Sequence, residues 1–219
     1  MHYLEWLAAG WVAYFALHSV LAALPVKRLV ARRLPAAMPY YRIAYNGLAV
    51  VLVLPLLYFT YRLPGDPVWA WRGVGFWVAN GLALTALGLF LYSLRHYDTE
   101  EFLGLRQWRA RERRVEDQER FRISPLHRYV RHPWYALGLV LLWTRDMPPA
   151  FLLTALLATA YFVVGSWLEE RKLIAYHGAA YREYRRRVPA FVPLPWRRLS
   201  PQQAAALEAR ATGRASPEP

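Results

Sequence analysis

Residues 147–173 read MPPAFLLTALLATAYFVVGSWLEERKL. From Met147 to Leu168 there are 22 residues without a charged side chain, and then two carboxylates and two cations follow at once. At about 1.5 Å per residue the charge-free run reaches ~30 Å, the thickness of a bilayer's hydrocarbon core. A soluble core helix rarely runs so far without a charge, so this stretch predicts a transmembrane helix. Three further blocks repeat the pattern. Trp6 to Val26 has 21 residues with only His18 ionisable, Ile43 to Tyr61 has 19, and Gly73 to Leu94 has 22. Trp134 to Thr144 has only 11, which rise about 16 Å, half a bilayer core. The expectation is an all-α membrane protein of about five transmembrane helices. The first block is expected to stay as a span, since it lacks the basic start of a cleaved leader and its apolar run is too long for one.

Composition narrows the rest. Of 219 residues, 56% are hydrophobic and 16% aromatic, with ten Trp and no Cys. Zero Cys excludes a disulfide framework, a thiolate zinc site and a cysteine nucleophile. The six His show no metal-ligand spacing, so no metal is expected. The net charge of +13 would suggest nucleic acid in a soluble chain, but the position of the charges argues against it. Loop 25–42 holds five Lys or Arg, residues 95–133 hold ten, and the stretch after Leu168 holds ten. The remaining three, Arg62, Arg72 and Arg145, fall in the alternate loops. Basic loops stay on the cytoplasmic side. The N-terminus is therefore expected outside and the C-terminus inside, with no nucleic-acid partner and the lipid bilayer as the environment. Arg outnumbers Lys 26 to 2, which suggests a GC-rich bacterial genome and the bacterial cytoplasmic membrane.

This count places the basic stretches before Trp134 and after Leu168 on one side. Residues 134–168 are then a helical hairpin with Arg145-Asp146 at its tip. Pro148 and Pro149 suit the first turn of the returning helix, where no amide partner is lost. The hairpin brings Arg128-Tyr129-Val130-Arg131-His132-Pro133-Trp134-Tyr135 beside Trp167-Leu168-Glu169-Glu170-Arg171-Lys172-Leu173. Two adjacent carboxylates at a membrane helix end are costly unless they meet cations. Either they pair with Arg131, Arg171 or another Arg, or one of them meets a cationic ligand. Beyond them Leu173, Tyr176, Ala180, Tyr184 and Val188 recur at helical steps, and Lys172, Arg182, Glu183, Arg186 and Arg187 lie opposite. This predicts an amphipathic helix on the cytoplasmic surface. Residues 1–199 read as a single membrane domain and 200–219 as a disordered tail.

Three blocks now stand in order. They are Arg131-His132-Pro133-Trp134-Tyr135-Ala136-Leu137-Gly138, Glu169-Glu170-Arg171-Lys172-Leu173, and Gly178 with Tyr181, Tyr184 and Val188-Pro189. Together they resemble the C-terminal core of the integral-membrane S-adenosylmethionine methyltransferases. This is the isoprenylcysteine carboxyl methyltransferase family, whose relatives include phospholipid N-methyltransferases, bacterial methanethiol S-methyltransferases and NnrU-type proteins. The match covers about residues 100–195. His18-Ser19 with Ala22, Arg42 with Tyr45, and Phe102 to Gln107 resemble the bacterial thiol-methyltransferase and NnrU branch.

The resemblance implies S-adenosylmethionine as cofactor and a small or lipophilic methyl acceptor. It also implies that His132, Pro133, Trp134 and Tyr135 form the cofactor-contacting turn, that Glu169 with Glu170 binds the cofactor, and that Gln107 is a loop contact. Chemically, a sulfonium cation and an ammonium suit Glu169 and Glu170. A carboxylate suits Arg131, and adenine or the cation suits the ring of Trp134 or Tyr135. Gly165 stands where the eukaryotic prenylcysteine enzyme has an arginine that meets the substrate, so a prenylcysteine carboxylate is not the expected acceptor. Pro125-Leu126-His127 stands where members often have Gly-x-Tyr. His18, inside the first span, reads either as a neutral side chain bonded to a neighbouring helix or as the base that deprotonates a thiol. Two rival readings stand beside this one: an NADPH-dependent membrane reductase of the sterol-reductase type, and a non-catalytic NnrU-like accessory protein.

Overall fold

The computed structural model describes residues 2–63, 65–113, 115 and 121–212. Among these the regular structure is helical, and one isolated antiparallel bridge joins Trp69 and Met147. The long helices are α1 (His2–Ala22), α3 (Met38–Arg62), α4 (Gly73–Leu94) and α8 (Pro149–Arg187), and all four are apolar and long enough to cross a membrane. Between them lie α2 (Leu24–Arg33), α5 (Thr99–Leu103), α6 (Leu105–Arg109) and α7 (Pro133–Trp143), and α9 (Pro201–Ala211) follows. The outward faces suit lipid. Trp6, Val74, Trp77 and Leu84 are each at least 70% exposed, a density of bare apolar surface that a soluble monomer avoids. The chain is an all-α membrane protein.

The described chain divides into two compact units. The first takes Met1–Ala79, Leu94–Asp117 and Arg145–Ala158. Its core is Leu7, Trp11 and Ala150, packed by Val53, Leu56 and Leu153. Gly10 admits Leu56, whose Cδ2 would lie 2.8 Å from an added Cβ. Thr60 and Thr154 share a buried hydroxyl contact of 3.0 Å, so two polar groups inside apolar helices satisfy each other. The Asp98 carboxylate caps α5 by accepting the Glu101 amide at 3.0 Å. At Gly104 the backbone turns left-handed, with φ +88°, between α5 and α6. A Cβ there would meet Arg42 Cβ at 2.8 Å and the Ile43 nitrogen at 3.0 Å, so only glycine lets this loop seat on the start of α3.

The second unit takes Asn80–Ser93, Gln118–Thr144 and Thr159–Pro219. Here α7 and the later part of α8 run antiparallel. The Trp143 indole donates to Thr159 Oγ1 at 3.0 Å, Tyr135 stacks on Phe162, and His132 reaches Glu170. The expected hairpin order is therefore present, and α7 has the 11 residues read from the sequence. The amphipathic helix differs from expectation in its start. It continues α8 without a loop, and the only break is at Gly178, with φ +53° and ψ −124°. Glycine tolerates that conformation where a side chain would strain. The break re-phases the apolar face, so Tyr181 joins Ala180, Tyr184 and Val188 in the interior.

A second difference lies at residues 200–212, which were expected to be disordered. Ser200 and Gln203 form a capping box, and α9 buries Ala204 and Leu207 against Phe121, Ile123, Tyr181, Tyr184, Val188 and Leu199. The reciprocal cap and this apolar face supply what an isolated helix of that length lacks. Residues 213–219 of the expected tail lie outside the described residues.

Candidate active site

Pro133 occupies the first turn of α7, where its missing amide costs nothing, and this leaves Arg131 and His132 on the non-helical chain just before it. That chain is pinned from the other side. The Arg131 amide donates to the Pro189 carbonyl at 2.8 Å and the His132 amide to the Ala190 carbonyl at 3.0 Å. Tyr184 donates its hydroxyl to the His127 carbonyl at 2.7 Å. Arg128 and Leu199 exchange two further bonds, at 2.9 and 3.0 Å. The loop is thus a built element, and its side chains meet α8 at Glu169 and Glu170.

The two carboxylates are treated differently. Glu170 is buried and surrounded by cations. Arg131 reaches its Oε1 through Nη2 at 2.7 Å and Nε at 2.8 Å, His132 Nε2 lies 3.0 Å from Oε1, and Arg185 Nε lies 3.0 Å from Oε2. Arg131 also donates to the carbonyls of Arg185 and Val188. Glu169 has a side chain 45% exposed and is held loosely, with its Oε2 3.5 Å from His132 Nδ1 and 3.4 Å from the Tyr135 hydroxyl. A carboxylate so placed keeps capacity for a ligand, whereas Glu170 has spent its own.

Burial opposes charge on His132, but the flanking Glu169 and Glu170 outweigh it and raise the imidazole pKa above its ordinary value. His127 responds in the opposite sense. Burial and the neighbouring His132 push it down to about 4, against the attraction of Glu169.

The aromatic candidates separate as well. Trp134 donates its indole N–H to Ser93 Oγ at 2.8 Å and packs on Phe90, so it ties α7 to α4. Tyr135 is already stacked on His132, at 5.5 Å and 8°, and on Phe162, at 5.0 Å and 5°. This leaves its hydroxyl, more than its ring face, to serve the site. Arg185, Phe162 and Ser93 were not anticipated. Arg185 lies beyond the Gly178 break, and an unbroken helix would hold it about 22 Å along the axis from Glu170.

Two candidates belong to the first unit. Gln107 in α6 donates weakly to the Glu101 carbonyl at 3.4 Å, and its Oε1 is buried without a hydrogen-bond partner. His18 in α1 pairs through Nε2 with the Tyr45 hydroxyl of α3 at 2.7 Å. The pair sits at a narrow apolar recess lined by Tyr14, Leu17, Leu21, Leu48, Ala49 and Leu52.

Comparison with known proteins bears on what such a chain does. It is 38% identical over 178 residues to methanethiol S-methyltransferase 2 of Bradyrhizobium diazoefficiens, covering 80% of this chain and 68% of that one. Against methanethiol S-methyltransferase of a Pseudomonas species it is 34% identical over 194 residues, 82% and 69% of the two chains. Against the protein of that name from Mycobacterium tuberculosis it is 34% identical over 189 residues, 82% and 74%. No protein-family model and no solved structure matches the chain. On the strength of these relatives and of its four apolar helices, the chain belongs to the methanethiol S-methyltransferase family of membrane methyltransferases.

Proposed function

We propose that this protein transfers a methyl group from S-adenosylmethionine to a small thiol of the methanethiol class, at the cytoplasmic side of a bacterial cytoplasmic membrane. The observation that carries the donor assignment is the asymmetry of the carboxylate pair: Glu170 is fully engaged, while Glu169 is half exposed beside the Tyr135 hydroxyl. The chemistry of the residues present fits the donor. Glu169 would take its ammonium or ribose hydroxyls, and Arg185, whose side chain is half exposed beside the pair, places positive charge for its carboxylate. When bound, the donor supplies an electrophilic methyl on a sulfonium that departs as a neutral thioether.

The chain's own part is binding, alignment and proton removal. In-line transfer needs no covalent enzyme intermediate, so a protein without Cys loses nothing, and alignment contributes up to about 7–11 kcal/mol in model reactions. A thiol is a poor nucleophile until ionised. His18, oriented by Tyr45, is the proposed proton acceptor. The thiol S–H bond breaks toward the imidazole and leaves a thiolate, the form that attacks a methyl. The recess at His18 is narrow and walled largely by leucines, which makes its surroundings apolar. Basic loops at 25–42, 95–133 and after Leu168 support the orientation with the N-terminus outside.

The donor assignment is tested by equilibrium binding of S-adenosylmethionine and of NADPH to detergent-purified protein. Saturable binding of the first, weakened about tenfold in Glu169→Gln, is expected, since a hydrogen bond to a charged group contributes roughly 1.5–3 kcal/mol. Binding of NADPH in preference would overturn the donor in favour of a reductase.

A further inference from the structure

Residues 189–198 leave the end of α8 as Pro-Ala-Phe-Val-Pro-Leu-Pro-Trp-Arg-Arg. Three prolines hold this segment out of a helix. Its apolar side chains are not all tucked in: Val192 is 67% and Trp196 77% exposed. Tryptophan with one wet and one apolar side is the residue of membrane–water interfaces.

The depth of the segment can be read from its contacts. Phe191 lies 5.8 Å from the His132 ring, and His132 Nε2 lies 3.0 Å from Glu170. Glu170 follows Leu168 by two residues, and Leu168 ends the charge-free run. On that turn Trp167 is half exposed, and the Arg171 guanidinium sits 4.2 Å from its ring centre. The segment therefore lies where apolar span gives way to charge. Its surroundings are basic. Between residues 182 and 198 there are six Arg against one Glu. Glu183 is taken by Arg186 and Arg187, while Arg182 and Arg198 are exposed.

The geometry points to residues 191–198 as an interfacial anchor: Val192 and Trp196 enter the headgroup layer of the bilayer that holds the chain, and Arg182 and Arg198 meet the phosphates of anionic phospholipid there. The anchor is joined to the carboxylate cluster by backbone. The Pro189 and Ala190 carbonyls that hold Arg131 and His132 immediately precede it, so lipid that steadies the anchor steadies the loop on which those side chains stand. The inference does not depend on the methyl-transfer reading.

The chain has no Cys, so single-cysteine labelling is clean. Val192→Cys with Trp196 in place, and Trp196→Cys with Val192 in place, carry an environment-sensitive fluorophore. Gln202→Cys on the exposed side of α9 is the comparison. Each is reconstituted in phosphatidylcholine vesicles with or without phosphatidylglycerol, and with lipid bearing a nitroxide near the top of its acyl chain. Labels at 192 and 196 are expected to be quenched about threefold or more beyond the label at 202, and further when phosphatidylglycerol is present, since basic residues near an anionic surface favour insertion. A water-like label at either position overturns the anchor. Quenching that ignores phosphatidylglycerol overturns the anionic recognition.

Discussion

A carboxylate buried as deeply as Glu170 persists only because Arg131, His132 and Arg185 all reach it. Breaking such a buried pair by removing one partner costs ~3–5 kcal/mol. Glu170→Gln should therefore lower the unfolding temperature markedly. Glu169→Gln, at a half-exposed position, should leave stability within about 0.5 kcal/mol of the parent while weakening the donor. The pair is adjacent in sequence, so this division of labour was not legible there. It depends on which carboxylate faces the Pro189–Ala190 turn. The histidines add a pH signature. The His132 pKa is raised, so its contribution to stability is whole below the ordinary imidazole value and is lost as pH rises through the raised one. His127 is pushed from 6.5 down to about 4, so its contribution is whole above 6.5 and is lost as pH falls toward 4. Thermal unfolding against pH in detergent should show both limbs, and His132→Gln should remove the alkaline one while keeping the acid one. An unchanged alkaline limb would remove the imidazolium from the account. For His18, a lower methylation rate in His18→Ala with donor affinity preserved, partly rescued at high pH, is expected from loss of a base. Full activity would reduce it to a packing partner of Tyr45.

At the scale of elements, the spans were legible because about 20 residues without a charge leave few alternatives. The hairpin was legible because the arginines on both flanks had to share a side. α9 was not. Pro201-Gln202-Gln203-Ala204-Ala205-Ala206 reads as a low-complexity tail, and only Ser200 followed at the third residue by Gln203 carried the capping-box signature. What makes the helix is tertiary, because Leu207 has no relative exposure to spare beside Ile123 and Tyr184. Leu207→Ala should then cost about 2–5 kcal/mol, measured as a fall in unfolding temperature. An unperturbed protein would show that α9 is not docked in solution. The Gly178 break was equally hidden. A glycine inside an amphipathic pattern looks tolerable, and only its positive φ shows that it re-phases the helix and lets Arg185 reach Glu170.

For the whole molecule, charge distribution sets the proposed orientation, and the absence of Cys makes it directly measurable. Single cysteines in place of Glu112 and Ala206 should be shielded from an impermeant thiol reagent in right-side-out vesicles, and one in place of Asp66 should react. Reagent reaching 112 but not 206 would break the hairpin arrangement. Family membership was legible from three short blocks in order, and the fold places them on the loop before α7, the start of α7 and the second half of α8 to just past its end. The acceptor was not legible: Gly165 argued only against a prenylcysteine carboxylate, and the narrow apolar recess at His18 appears only in the folded chain.

Methyl transfer to a small thiol is read most directly from its product. Purified protein in lipid vesicles is given S-adenosylmethionine carrying a deuterated methyl group together with methanethiol, and the volatile product is followed by mass spectrometry. Dimethyl sulfide bearing one deuterated methyl is the predicted product, formed more slowly by Glu169→Gln. Robust methylation of a farnesylcysteine analogue with no labelled dimethyl sulfide would contradict the account.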